Sequence, residues 1–180
     1  MGGGAAALNN VGQVVGWVHY SCGDGSFLGF RWDNGTRTIL QALSDGWNSD
    51  ALAINDAGVA VGWSTLEAYG GQSAVEWNGS TATDIGTLAY GGPCPPAFRL
   101  DCANFSVRSF ATNINNQGEV VGLSSLTPNS AATTPFLYKN GTLLNNTDGL
   151  LGGPQRTIGT NVWGAVGVVT AEPVATGTPG

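Results

Sequence analysis

The sequence predicts an all-β protein built from repeats of antiparallel strands, and three observations support this prediction. Glycine supplies 29 of the 180 residues, which suits tight turns between short strands. A similar ten-residue segment occurs three times, at 8–17, 54–63 and 114–123. An Asn-Gly pair follows each copy, at 34–35, 78–79 and 140–141. Self-similarity at such a period is the signature of a repeat architecture.

Two turn signals divide each repeat into four strands. Asn-x-x-Gly opens each ten-residue copy and predicts a turn with an Asx hydrogen bond at its start and a left-handed glycine at its end. Asn-Gly between apolar runs predicts a two-residue type I′ hairpin. The expected strands follow Asn-x-x-Gly (13–18, 59–64, 119–124), precede Asn-Gly (27–32, 73–77, 135–138), follow Asn-Gly (36–43, 80–88, 142–144), and lead into the next repeat (50–54, 109–114, and from 157 onward).

These periods predict a single domain spanning 1–180. Its repeats cover approximately 8–53, 54–113 and 114–160, with a partial fourth at 161–170 and a disordered tail at 171–180. The first residues lack the charged and apolar regions of a signal peptide, which is expected of a mature form or of a piece of a longer chain.

The stretch 77–92, which begins Trp-Asn-Gly and continues through Thr-Asp-Ile-Gly-Thr-Leu, resembles the HAF-type extracellular repeat family of secreted bacterial proteins. The resemblance implies four-stranded, β-propeller-like blades and an extracellular or cell-surface location. About three and a half repeats are few for a closed ring, so the fold is expected to be incomplete or completed in trans. The histidine that names the family is absent from all three repeats, at 28–30, 73–75 and 134–136, so no role of that histidine carries over.

Composition excludes several classes of partner. Only 10% of the residues are charged, six are basic against twelve acidic, and Lys139 is the only lysine, so a nucleic acid is not an expected partner. No apolar run is long enough to span a membrane. Two nearby cysteines and the distant His19 are too few for a metal centre, and no cofactor is predicted.

The three cysteines favour an oxidising compartment. Cys94 and Cys102 lie in one proline-rich loop and are predicted to form a local disulfide. Cys22 is then either free or an alternative partner of one of them.

Strand alternation predicts that the variable loops all project from one end of the sheets. These loops span 19–26, 65–72, 125–134, 44–49, 89–108 and roughly 145–156. Loops on a rigid scaffold are where binding usually occurs. The predicted ligand-binding residues are the aromatic residues of these loops, Tyr20, Trp47, Tyr69 and Tyr90. The recurring tryptophans are instead expected in the core, namely Trp17, Trp32, Trp63 and Trp77.

The function favoured by these features is a secreted or cell-surface binding module for a carbohydrate or cell-envelope partner, or a structural role. A glycoside hydrolase is one alternative, because a pair of loop carboxylates is the machinery that it needs. The candidates are Asp24, Asp45, Glu67, Asp101 and Asp148. A self-assembling filament element is another alternative, because open strand edges invite pairing with a second copy.

Overall fold

The computed structural model describes residues 2–19, 25–43, 46–66, 71–93 and 107–145. All regular structure in these ranges is β, and they contain no helix, so none of the described residues forms an apolar helix that could cross a membrane. The fold class predicted from the sequence is confirmed.

Twelve strands form three antiparallel sheets, each a meander of four consecutive strands. The first sheet contains β1 (Gly3–Leu8), β2 (Val14–His19), β3 (Phe27–Asp33) and β4 (Thr36–Leu40). The second contains β5 (Ser49–Ile54), β6 (Ala60–Leu66), β7 (Gly71–Trp77) and β8 (Ala82–Gly86). The third contains β9 (Ser109–Ile114), β10 (Val120–Ser125), β11 (Thr133–Lys139) and β12 (Thr142–Asn145).

Each sheet begins one strand earlier than the sequence period suggests. The strand that leads into Asn-x-x-Gly pairs with the strand after it, so the described region holds three complete four-stranded sheets. The sequence analysis did not predict β1, because a Gly-Ala run has low strand propensity. Its small residues suit its place, since a Cβ on Gly4 would lie 3.0 Å from the Trp17 indole nitrogen.

The glycine that precedes Trp17, Trp63 and Leu123 is required by a close backbone approach. A Cβ built on this glycine in any repeat would lie 1.9–2.0 Å from a carbonyl oxygen of the first strand of the same sheet. The register of that strand shifts by one residue in the same place each time, which marks a repeated β-bulge. The recurring Val-Gly pair is therefore explained by contact between adjacent strands.

The three sheets pack face to face in chain order. β5 lies against β2 and β3, and β9 lies against β6 and β7. The first strands β1, β5 and β9 also lie beside one another, which is consistent with β-propeller-like repeats. Two buried clusters fill the interfaces, one centred on Trp77 and Val15, the other on Val61 and Phe136.

Two of the three Asn-Gly turns have the predicted type I′ geometry. Asn34 and Gly35 have φ values of 45° and 86°, and Asn140 and Gly141 have values of 51° and 75°. The turn at 78–79 differs, because only Gly79 has a positive φ and β8 begins at residue 82. The second repeat thus uses a four-residue connection where the other two use two residues.

The Asn-x-x-Gly turns are linked across the sheets by a ladder of asparagine side chains. In each turn the side-chain oxygen accepts a hydrogen bond from the backbone N–H four residues later, for example Val59 N to Asn55 Oδ1 at 3.0 Å. The amide nitrogen of Asn9 donates to the carbonyl of Asn55 at 2.9 Å, and that of Asn55 donates to the carbonyl of Asn115 at 3.1 Å. We call these three residues the asparagine ladder.

The two ends of the sheets differ as predicted. The hairpin turns and the asparagine ladder lie at one end, which we call the turn end, because the strands alternate in direction. The longer connections, including the one that carries Trp47, leave from the opposite end, which we call the loop end. This arrangement leaves the loop end free to vary in length.

Burial of the recurring tryptophans is only partly as expected. Trp77 is fully buried and its indole nitrogen donates to the carbonyl of Gln41 at 2.8 Å. Trp17 and Trp63 are half-buried. The expectation is wrong for Trp32, which is 41% exposed. Residues of the first sheet cover Trp77. Trp32 lies in the first sheet itself, and among the described residues there is no earlier sheet to cover it.

Replacing Trp77 with alanine should lower the free energy of unfolding by about 3–5 kcal/mol, because a large buried side chain leaves a cavity. Trp32→Ala is the matched control and should cost about 1 kcal/mol or less, as expected at a partly exposed position. Denaturant unfolding measures both values. Equal losses in the two variants would contradict the assigned packing.

Replacing Asn55 with aspartate tests the asparagine ladder. Aspartate keeps the oxygen that caps the turn but loses the donor to Asn115, so we expect a loss of about 1–3 kcal/mol in unfolding free energy. Asn55→Ala should cost more, because it removes the turn cap as well. Wild-type stability in Asn55→Asp would mean that the bond between sheets contributes nothing.

Candidate functional site

A concavity lies at each end of the sheets within the described residues. The turn-end concavity has a volume of about 460 Å³ and is formed by the three Asn-x-x-Gly turns. It is lined by Leu8, Asn9, Asn10, Ile54, Asn55, Asp56, Ile114, Asn115, Asn116 and Gln117. The loop-end concavity has a volume of about 290 Å³. It is lined by Trp17, His19, Gly25, Phe27, Asp50 and Trp63.

The polar groups of the turn-end concavity are already engaged with one another. Asp56 accepts hydrogen bonds from Asn10 at 2.9 Å and from Asn116 at 2.9 Å, and these bonds lower the pKa of its carboxyl. The side-chain amides of Asn9 and Asn55, beside Asp56, donate their hydrogen bonds within the asparagine ladder. The larger concavity therefore serves to join the repeats and offers a ligand few unpaired groups.

The loop-end concavity has aromatic walls set nearly at right angles. The Trp17 and Phe27 ring centroids lie 5.6 Å apart with planes at 66°, and those of Phe27 and Trp63 lie 5.9 Å apart at 79°. The His19 ring lies 5.4 Å from that of Trp17 at 86°. Edge-to-face pairs of this kind are favourable and fix the ring orientations.

Asp50 brings a carboxylate among these rings. It is the second residue of β5 and pairs with Trp63 on β6, so the two side chains share a face of the sheet. Its Oδ1 is buried and has no hydrogen-bond partner. Burial raises the pKa of the Asp50 carboxyl to about 6. Ionisable groups with shifted pKa values cluster at functional sites.

The repeat register explains why the concavity lies where it does. The positions equivalent to Asp50 are Gly4 in the first sheet and Phe110 in the third. The Trp17 ring lies over Gly4, and the Phe110 ring packs against Trp63 at 6.2 Å. An aspartate is smaller than a phenylalanine, so the second sheet leaves open the space beside Trp17 that a ring would fill.

Among the predicted ligand-binding residues, Trp47 and Tyr90 are described. Trp47 is 63% exposed, and its backbone N–H donates to the Thr65 hydroxyl at 2.8 Å. The next residue, Asn48, accepts a hydrogen bond from the Phe27 N–H at 2.9 Å, which ties the Trp47 loop to the loop-end concavity. Tyr90 is half-buried and packs on the small cluster of Leu66 and Val107.

The other predicted site residues lie outside the described residues. They are the aromatic residues Tyr20 and Tyr69, the acids Asp24, Asp45, Glu67, Asp101 and Asp148, and the cysteines Cys22, Cys94 and Cys102. The described ranges contain no cluster of three or more His, Cys, Asp or Glu side chains that could hold a metal ion.

The sequence analysis missed Asp50 and assigned no binding role to Trp17 or Trp63. Aligning the strand before each Asn-x-x-Gly would have shown a carboxylate where the other repeats have Gly4 and Phe110. No binding role was predicted for His19 either, and the structure places it half-buried on the wall of the concavity.

No protein-family model, curated protein or solved structure matches this chain. The resemblance to HAF-type repeats stays a prediction, and the site is interpreted from its geometry.

Asp50 should make stability depend on pH with a defined sign. Its pKa is higher in the folded chain than in the unfolded one, so its favourable contribution is present below about pH 4 and is lost as the pH rises through about 6. Asp50→Asn cannot ionise. It should therefore raise the thermal midpoint above about pH 7 and have little effect near pH 4.

Scanning calorimetry of both proteins across this pH range measures the difference. Burial also raises the pKa of Glu76, and His19 faces the same concavity as Asp50. Both residues are present in each protein, so their contributions to the pH dependence of stability largely cancel when the two proteins are compared. An Asp50→Asn variant that is less stable than the wild type at neutral pH would contradict the assigned burial.

Proposed function

We propose that this chain is a secreted or cell-surface binding module that recognises a carbohydrate-bearing cell-envelope component at its loop end. The observation that carries the proposal is the loop-end concavity, which is lined by three aromatic rings and by a carboxylate with an unpaired oxygen. Ligand sites are typically apolar concavities with a few well-placed polar groups. The turn-end concavity is larger, but its polar groups are already paired.

Trp47 supports the proposal from outside the concavity. Its side chain is mostly exposed, while the backbone N–H groups of Trp47 and Asn48 both donate to the Thr65 hydroxyl and hold these two residues in place. An exposed indole on an ordered loop offers a flat apolar face that can pack against a sugar ring at low entropic cost. The extracellular setting is supported by the predicted Cys94–Cys102 disulfide and by the resemblance to HAF-type repeats.

A glycoside hydrolase is the second candidate, and Asp50 is the observation that favours it. A carboxyl whose pKa is raised by apolar surroundings suits a general acid. Such an enzyme also needs a second carboxylate about 5–9.5 Å away. Asp50 is the only carboxylate that lines the loop-end concavity among the described residues. The described residues therefore supply one of the two carboxylates that cleavage needs, whereas binding needs only the concavity itself.

Trp47→Ala should weaken binding to purified cell-envelope glycans by about tenfold or more, as expected for an aromatic anchor, and should leave the melting temperature nearly unchanged. Val11→Ala is the matched control, because Val11 is 61% exposed at the turn end. Tyr90→Ala belongs in the same series but should also lower stability, since Tyr90 packs on Leu66.

Pull-down and titration calorimetry with these glycans measure the effect. Equal weakening by Trp47→Ala and Val11→Ala would place binding away from the loop end and contradict the proposal. Release of reducing sugar that disappears in Asp50→Asn would favour the hydrolase instead.

A further inference from the structure

We infer that the loop-end concavity binds a methylated ammonium group, such as the trimethylammonium of a choline-type substituent. This inference rests on the proposed function and names the chemical group that would enter the concavity. It depends on four features of the described residues, namely the ring geometry, the unpaired carboxylate, the scarcity of hydrogen-bond acceptors and the size of the space.

The ring geometry favours a compact cation over a sugar. The rings of Trp17, Phe27 and Trp63 line the concavity and meet at 66° and 79°, so their faces point in different directions and do not form one flat platform. A pyranose ring packs against one flat face, as Trp47 can provide. Rings at right angles instead surround a roughly spherical group, and the negative face of an aromatic ring attracts a cation.

The Asp50 carboxylate favours a positive charge in the same space. Its Oδ1 is buried and has no hydrogen-bond partner, and no lysine or arginine lines the loop-end concavity among the described residues. A neutral apolar ligand would remove water from this carboxylate without compensating for its charge. A cationic ligand supplies the missing counter-charge.

The scarcity of acceptors favours a methylated ammonium over a primary one. A primary ammonium carries three N–H donors, each of which needs an acceptor when it is buried. Among the described residues, the lining side chains that can accept a hydrogen bond are the Asp50 carboxylate and the His19 imidazole, and the other lining side chains are aromatic. A trimethylammonium group has no donor to satisfy, so aromatic walls and one carboxylate are sufficient.

The volume of about 290 Å³ agrees with a small headgroup. Pockets for drug-sized ligands measure about 300–1,000 Å³, so this space suits a substituent of a larger polymer better than a whole oligosaccharide. In the proposed complex, Trp47 would contact the sugar and the concavity would hold its cationic substituent.

Titration calorimetry of the full chain with three small probes tests the inference. Choline carries the trimethylammonium group, 3,3-dimethylbutan-1-ol has the same shape without the charge, and ethanolamine carries a primary ammonium. We expect choline to bind in about the millimolar range and the other two to bind about tenfold more weakly or not at all.

Two variants connect the binding to the named residues. Asp50→Asn keeps the shape of the side chain and removes its charge, so it should weaken choline binding by about tenfold. Trp63→Leu introduces the residue that the third repeat has as Leu123, so it should remain folded and lose a similar factor. Val11→Ala, at the opposite turn end, should leave choline binding unchanged. Thermal melting of each variant verifies that it is folded.

The outcomes separate this inference from the proposed function. Equal binding of choline and its neutral analogue would overturn the inference, and so would choline binding that is unchanged in Asp50→Asn. Glycan binding at Trp47 with no affinity for choline would also overturn the inference, but it would leave the proposed function standing. Choline binding that depends on Asp50, in a protein that binds no envelope glycan, would support the cation site and overturn the wider function.

Discussion

The asparagine ladder is the interaction on which the arrangement of the three sheets depends. A single side chain type does two things at once, because its oxygen closes a turn within one repeat while its nitrogen holds the carbonyl of the next. Asn9 and Asn55 are buried, and a buried amide is tolerated only when it is hydrogen-bonded. The ladder therefore fixes how neighbouring sheets align at the turn end, and the packing of the first strands follows from that alignment.

The loop end shows what the same scaffold allows at positions that the asparagine ladder does not reach. There the equivalent positions of the first strands differ completely, as Gly4, Asp50 and Phe110. In the first sheet the Trp17 ring lies over Gly4, and in the third sheet Phe110 fills the equivalent space with its own ring. In the second sheet Asp50 leaves a concavity with a carboxylate. Variation within a fixed frame is how repeat proteins acquire a site without changing the fold.

Much of the fold could be predicted from the sequence, because its signals are local. Asn-x-x-Gly predicts a turn closed by its asparagine side chain and Asn-Gly predicts a hairpin, and the strand order follows from these turns even though the pair at 78–79 adopts a different turn type. The position of β1 and the exposure of Trp32 could not be predicted, because each depends on which sheet covers which face. The site was harder still, since an alignment of the repeats shows Asp50 as an unusual residue, but only the fold brings it to the same concavity as Trp17, Phe27 and Trp63.

The asparagine ladder also separates the length of a repeat from its alignment. Its two bonds between sheets have nearly the same geometry, although they join residues 46 and 60 positions apart. The added residues of the second repeat are absorbed at the opposite end of the strands, where chain length costs little. Insertions and deletions at the loop end do not alter the turns at the other end. Such a protein can therefore gain or lose chain segments while the alignment of its sheets stays the same.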